Sequence, residues 1–351
     1  GIRMKILITG CRGQLGTELQ HQLSAEGCAI GPLPERLRKA EQALCTGAHL
    51  GCRLWFASGV PSPEQAPTPE AKHLAEQAQL QADRNRAYYA KNRALHRSVV
   101  LRLTEQIRNC ILVHQQPNAR IARSGALDPE RVWRAPLLND SRVFRCSEEE
   151  NQPSFTVDLL LDASASRLHC QEVIAAQGTI LAQSLAACGI PVRVSSFCSL
   201  RGYTVLRVLK GFADKSLQGI DQYFASGWNR DGLALRAAGD LVSFDPGPAP
   251  RHLLILLTDA SPNDSRRVPP SPEQPLGCDY GGSYGVDDAA AEVRTLRRKG
   301  LRVSAVFMGE DSSSHDAERI YGKNLARIRG MDQLARAAGR LIQNEIRELG
   351  D

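Results

Sequence analysis

Long apolar runs are missing from this sequence. The longest, such as Leu253–Leu257, have strand length, far short of the ~20 residues that a membrane span needs. No transmembrane helix is therefore expected. The N-terminus offers no stretch apolar enough for the core of a signal peptide, so the chain reads as cytoplasmic. A dense basic block is missing too. The net charge of +6 comes mainly from arginines scattered along helical segments, a pattern that does not indicate nucleic-acid binding. No segment has the spacing of a Walker A loop. Cysteine is not scarce, but the ten residues are dispersed, and Cys110, Cys188 and Cys198 fall inside apparent helices and strands. Reduced thiols, not disulfides, are expected.

What is present exceeds the usual size of one domain at 351 residues, so more than one folding unit is predicted. Residues 1–41 read as a βα unit: a strand over Lys5–Thr9, a glycine turn, and a helix over Gln14–Ala25. Residues 42–69 form a cysteine-bearing segment and a linker in which Pro61, Pro63, Pro67 and Pro69 are too close for helix or strand. From Glu70 to Gln116 there is neither proline nor glycine, which predicts a long helix or helical hairpin over 70–116. Its second half carries an apolar ladder at Leu95, Val99, Leu103, Ile107 and Ile111, each four residues apart. The first half is rich in Glu, Gln, Arg and Lys and reads as a solvated arm. Residues 117–153 connect, with Leu127–Trp133 as the helical piece.

From residue 154 to the end the pattern changes. Strands at Val157–Leu161, Val192–Phe197, Tyr203–Leu209, Leu253–Leu257 and Val303–Phe307 alternate with helices at Gln171–Cys188, Asp231–Val242, Asp287–Lys299 and Met331–Leu349. Strands rich in apolar residues, Leu253–Leu257 wholly so, alternating with helices predict an α/β fold, a mostly parallel sheet covered on both faces. The short link through Gly202 suits a hairpin, so one antiparallel edge strand is expected.

The strand Val157–Leu161 ends in Asp162, followed by Ser164 and Ser166, and the strand Leu253–Leu257 is followed by Asp259. In open α/β sheets ligands gather at the carboxyl ends of the strands. Hard cations such as Mg²⁺ take oxygen donors and often only one or two carboxylates. Two acidic strand ends plus two hydroxyls supply such an incomplete oxygen shell. The plainer alternative is that the serines cap the following helix and Asp259 caps a turn.

The Asp162-x-Ser164-x-Ser166 spacing, with Thr258-Asp259-Ala260-Ser261-Pro262-Asn263-Asp264, resembles the metal-ion-dependent adhesion site of von Willebrand factor A domains. With Tyr284-Gly285-Val286-Asp287-Asp288 and Lys299-Gly300-Leu301-Arg302-Val303, the chain resembles the nitric oxide reductase activation (NorD) family. The resemblance implies a doubly wound A-type domain over 154–351 and a site for Mg²⁺, or alternatively Mn²⁺ or Ca²⁺. Its ligands would be Asp162, Ser164, Ser166, Asn229 and Asp259. It also implies a non-enzymatic adaptor that works with a MoxR-type AAA+ ATPase on a client metalloenzyme, the metal accepting an acidic side chain of a partner. Two positions depart from the family. Asn229 stands where threonine is common, and Asp231 could serve in its stead. Ala260 stands where glycine is usual and is less suited to a positive φ.

Two further patterns carry chemistry. Gly10, Gly13 and Gly16 follow the first strand and open a helix, the arrangement that places a pyrophosphate at a helix N-terminus. Up to Ala40 the chain resembles the start of dTDP-4-dehydrorhamnose reductases, which gives an NAD(P)-dependent sugar-nucleotide reductase as the alternative function. The remaining βα units of such an enzyme do not follow, Tyr88 and Lys91 lack the Tyr-x-x-x-Lys spacing, and one βα unit makes no dinucleotide crevice. Bound NAD(P) is therefore not expected. Cys45, His49 and Cys52, with Cys28, raise the possibility of zinc. The spacing is not a standard one, and filling of a small packed loop is the preferred reading.

Overall fold

The computed structural model describes residues 41–59, 63–65, 69–114, 118–148, 155–200, 202–270, 272 and 275–350. The βα unit predicted over residues 1–41, with Gly10, Gly13, Gly16 and Cys28, lies outside the described residues apart from residue 41.

The elements follow in chain order. Strand β1 (Arg53–Ser58) precedes helices α1 (Pro69–Lys91) and α2 (Arg93–His114), which meet at Asn92. A small antiparallel sheet holds β2 (Asn118–Ala122), β3 (Ala126–Leu127) and β4 (Phe144–Glu148), with the short helix α3 (Arg134–Leu138) between β3 and β4. Then strands and helices alternate: β5 (Phe155–Asp162), α4 (Gln171–Ala187), β6 (Val192–Leu200), β7 (Tyr203–Lys210), α5 (Asp231–Phe244) and β8 (Arg251–Thr258). The hairpin of β9 (Asp264–Val268) and β10 (Cys278–Tyr280) interrupts the series. It resumes with α6 (Gly282–Arg298), β11 (Arg302–Phe307), α7 (Ser314–Tyr321), β12 (Leu325–Arg327) and α8 (Met331–Gly350).

The main sheet has seven strands in the order β1-β7-β6-β5-β8-β11-β12. Strands β6, β5, β8, β11 and β12 are mutually parallel, and β7 runs antiparallel to β6. Period-two alternation explains how each strand buries both faces. Leu159 and Leu161 of β5, with Leu253, Ile255 and Leu257 of β8, pack into one layer with Leu103 and Ile107 of α2, Ile180 of α4 and Leu334 of α8. Leu160, Leu254 and Leu256 point the other way, against Leu235 of α5, Val293 of α6 and Ile320 of α7. Each such leucine or isoleucine contributes about 1.5–3 kcal/mol on full burial. The result is the doubly wound, mostly parallel sheet that the sequence predicts.

Several sequence expectations are corrected. The antiparallel strand β7 is not the edge, because β1 pairs parallel to it over Arg53–Ser58. The sheet thus draws a strand from the 42–69 segment. The first half of the helical arm is not a solvated face: Ala75, Ala78, Gln81, Ala82 and Asn85 of α1 are buried. Its stripe is made of small and amide side chains, which carry little apolar signal. In α2 the ladder holds from Val99 to Ile107, while Leu95 is 47% exposed. The helical piece of the connecting segment is Arg134–Leu138, and Leu127–Trp133 is strand and turn. No helix among the described residues is long and apolar enough to cross a membrane.

Candidate metal centre

Register brings the acidic strand ends together. In the parallel ladders Leu161 pairs with Leu257, and Phe307 with Thr258. Asp162 and Asp259 therefore emerge at the same end of adjacent strands. Asp162 is fully buried, and its two oxygens are held apart: Oδ1 accepts the Ser164 amide at 3.0 Å, and Oδ2 accepts the Thr258 hydroxyl at 3.2 Å. Ser164 Oγ lies 2.9 Å from Ser166 Oγ, and Ser166 Oγ donates to Asp259 Oδ2 at 2.7 Å. Asp259 is buried, whereas Ser166 is exposed, so the cluster opens to solvent on the side of Ser166.

Asn229 enters from the loop before α5. Gly227 allows that loop to pass close to β6: it takes φ +69°, and a Cβ there would lie 2.4 Å from the Ser199 carbonyl oxygen. Asn229 then exchanges main-chain hydrogen bonds with Asn263 at 2.8 and 2.9 Å. Its Nδ2 donates to Asp231 Oδ1 and to the Ser261 carbonyl, both at 3.0 Å. Both partners are acceptors, so the amide nitrogen must face them, which leaves Oδ1 as the end able to ligate a cation. Asp231, the first residue of α5, is fully buried, and its Oδ2 has no hydrogen-bond partner.

The electrostatics agree with a cluster that carries more acids than cations. Burial and then the Asp259 charge push the Asp162 carboxyl up to about 6. Burial, with the charges of Asp162 and Asp259, raises Asp231 well above the usual carboxylate range. An orphaned carboxylate oxygen beside two further acids and two hydroxyls is a donor set suited to a hard divalent cation. Among the described residues no group of three or more His, Cys, Asp or Glu could hold a metal by those donors alone. Any cation here would depend on the serine hydroxyls and on Asn229.

No family model matches the chain. Protein NorD of Brucella suis biovar 1 (strain 1330) is 27% identical over 141 residues, 39% of this chain and 20% of that protein. Protein NorD of Brucella abortus (strain 2308) is 26% identical over the same shares. The chain thus spans about a fifth of the length of the curated relatives it matches. Among solved structures, the vWF domain of the type V pili tip protein Mfa5 from Porphyromonas gingivalis aligns with TM-score 0.41 at 11% identity. That alignment covers 56% of this chain and 97% of that one. The manganese-loaded Plasmodium vivax TRAP protein aligns with TM-score 0.38 at 14% identity, covering 55% and 74%. These matches give the reductase resemblance no support.

Three residues of the site were given no role from the sequence. Thr258 bridges the two strands through Asp162 and also accepts the Ala260 amide at 2.9 Å. Tyr223, from the loop after β7, reaches the main chain of Asp162. Arg167 directly follows the second serine, and its guanidinium lies against Asp259; adjacency to the motif was the available signal. Ala260, expected to resist a positive φ, takes φ +53°. The Cys45/His49/Cys52 group forms part of a packed loop, and Cys28 lies outside the described residues. Cys45 and Cys52 are free and buried, and His49 Nδ1 accepts Arg230 Nε at 3.0 Å.

Proposed function

We propose that Asp162, Ser164, Ser166, Asp259 and Asn229, with Asp231 behind them, hold a divalent cation and that the protein is a metal-dependent interaction module. The observation that carries this reading is the convergence of Asp162 and Asp259 from adjacent strand ends onto the two serines, with the Asp231 Oδ2 orphaned beside them. Mg²⁺ is the expected ion, with Mn²⁺ or Ca²⁺ as alternatives. When bound, it supplies a positive charge with an open position for an oxygen ligand, such as a carboxylate of a partner protein.

The surroundings favour docking over catalysis. The nearby thiols are poor nucleophiles: burial pushes Cys198 up to about 11 and also raises Cys170. Leu168 and Trp228, each next in sequence to site residues or one removed, are exposed. Apolar and aromatic anchors around a polar centre suit a protein interface. From the NorD-family resemblance we infer the finer role: an accessory protein that works with a MoxR-type AAA+ ATPase on a client metalloenzyme.

Calorimetric titration of Mn²⁺ or Mg²⁺ into the full chain tests the cation. Saturable binding by the native protein and its loss in Asp162→Ala are expected. Equal binding by both proteins would refute the site. Co-purification of a MoxR-type ATPase with the native chain, but not with Asp162→Ala, tests the finer role.

A further inference from the structure

Arg167 is inside the cluster, not beside it. Its Nη2 donates to Asp259 Oδ2 at 2.5 Å, its Nε to Ser166 Oγ at 3.3 Å, and its Nη1 to the Met308 carbonyl at 3.3 Å. The side chain is only 8% exposed. A buried guanidinium held at three points, two of them on residues of the cation site, is a specific arrangement and not a surface ion pair.

The hydroxyl of Ser166 is fully committed. A hydroxyl has one proton and two lone pairs. The proton goes to Asp259 Oδ2, one lone pair accepts Arg167 Nε, and the other faces Ser164 Oγ at 2.9 Å. Asp259 Oδ2 already accepts two donors, Ser166 Oγ and Arg167 Nη2. In this arrangement Ser166 has no free lone pair for a metal, Arg167 taking one and the Ser164 hydroxyl the other, and the best-placed oxygen of Asp259 is shared with a cation already.

We propose that Arg167 is the resident cation of this site: a divalent ion binds by displacing its guanidinium from Ser166 and Asp259, so Arg167 sets the affinity of the site for metal. This inference rests on the cation-binding reading above. The guanidinium keeps its charge at every accessible pH, so the contact yields to a competing cation and not to a proton. In the metal-free protein it neutralises one of three neighbouring carboxylates, Asp162, Asp231 and Asp259. Removing it leaves Asp259 buried without its partner, which penalises the empty site and favours the filled one.

The test uses the full chain and Mn²⁺ alone, with native protein, Arg167→Gln, Arg167→Lys and Asp162→Ala compared by calorimetry and by melting in EDTA and in Mn²⁺. Arg167→Gln is expected to bind Mn²⁺ roughly tenfold or more tightly than native, the scale of one hydrogen bond to a charged group. It should also melt lower in EDTA and gain more from metal. Arg167→Lys, which keeps the charge but loses the fork, should fall between, and it carries the comparison if the glutamine variant does not fold. Binding by Arg167→Gln where the native protein binds none would support the proposal equally. Equal or weaker binding by both Arg167 variants, with Asp162→Ala inert, overturns the displacement idea and leaves the metal site standing. No binding by any of the four proteins overturns both.

Discussion

The phenol of Tyr223 donates to the main-chain carbonyl of Asp162 over 2.5 Å, in a fully buried contact. The main-chain carbonyl of Tyr223 in turn accepts Asn85 Nδ2 at 2.9 Å, and the same amide reaches the Asp221 carbonyl at 2.8 Å. A relay thus runs from α1, through the loop after β7, to Asp162, the first residue of the candidate cation motif. The helical arm supports the site from behind.

Tyr223→Phe keeps the ring and deletes the hydroxyl. Leaving a buried carbonyl without that donor costs about 1–3 kcal/mol. The variant should unfold at a lower urea concentration with an unchanged slope, and it should bind Mn²⁺ more weakly because Asp162 loses its rear support. Urea unfolding and calorimetry measure the two effects. An unchanged midpoint would show that the relay carries no stability.

Ala260 is the second point of leverage. It follows Asp259, is fully buried, and has φ +53°. An L-residue there is strained by about 1–2 kcal/mol, but its methyl group is buried in the apolar cluster that also holds Leu256, Val286 and Phe307. Glycine would relieve the strain but forfeit about 0.8 kcal/mol of methyl burial and about 0.4–1 kcal/mol through the greater freedom of the unfolded chain, so Ala260→Gly should be neutral within about 1 kcal/mol. Ala260→Val adds a β-branch to a left-handed residue in a packed core and should cost at least about 2 kcal/mol. Thermal melts of the pair decide the matter: a tolerated valine would mean the backbone relaxes out of the left-handed region.

How far this could be read from sequence depended on whether the signal was local. Leu159–Leu161 and Leu253–Leu257 are apolar runs buried on both faces, and Asp158, just before the first of them, is buried because Arg193 pairs with it across the strands. Asp162 and Asp259 stand out because each breaks such a run at its end. Strand β1 could not be read this way, since Arg53–Ser58 is ordered by pairing with Tyr203–Val208, about 150 residues on. The buried stripe of α1 was hidden because Ala75, Ala78 and Ala82 carry little hydrophobic contrast, and Gln81 and Asn85 look like surface residues. Asn85 is buried because it has main-chain carbonyls to satisfy, and no local pattern encodes that. Arg167 reads as an ordinary surface arginine until the strand ends are brought together around it.

A cross-strand pair beneath the site offers a test of the core. Asp158 of β5 and Arg193 of β6 are register partners, with Arg193 Nε at 2.5 Å from Asp158 Oδ1. Arg193 Nη1 also reaches Asp245 at 3.1 Å, and the guanidinium lies 4.7 Å from the Phe212 ring centre. Burial raises the Asp158 carboxyl despite the arginine. Arg193→Met would strand a buried carboxylate and should cost about 3–5 kcal/mol. Arg193→Met with Asp158→Leu should recover most of that loss. Urea unfolding of the native protein, the two single variants and the double variant gives the coupling, and simple addition of the two single losses would contradict it.

Acid sensitivity centres on His49. The residue is fully buried, and its Nδ1 accepts Arg230 Nε, so the ring proton sits on Nε2, 3.4 Å from Asp288 Oδ2. Burial, then the charges of Arg236 and Arg230, push the imidazole down to about 2. Tyr280 flanks the ring at 6.0 Å, and Asp264 pairs with Arg230. Below the unfolded value of about 6.5 the unfolded chain binds a proton that the folded chain refuses, so stability falls as pH falls from 6.5 towards 2. Lowering the pH from 7 to 5.5 should remove about 1 kcal/mol through this residue. Asp288 is raised by burial and acts in the opposite sense, but it remains in both proteins compared. In His49→Gln, whose amide can still accept from Arg230 and donate towards Asp288, the loss between these two pH values should be smaller by that amount. Equal losses in native protein and variant would mean that His49 does not refuse the proton and that the packing around Arg230 opens on the way to the acid state.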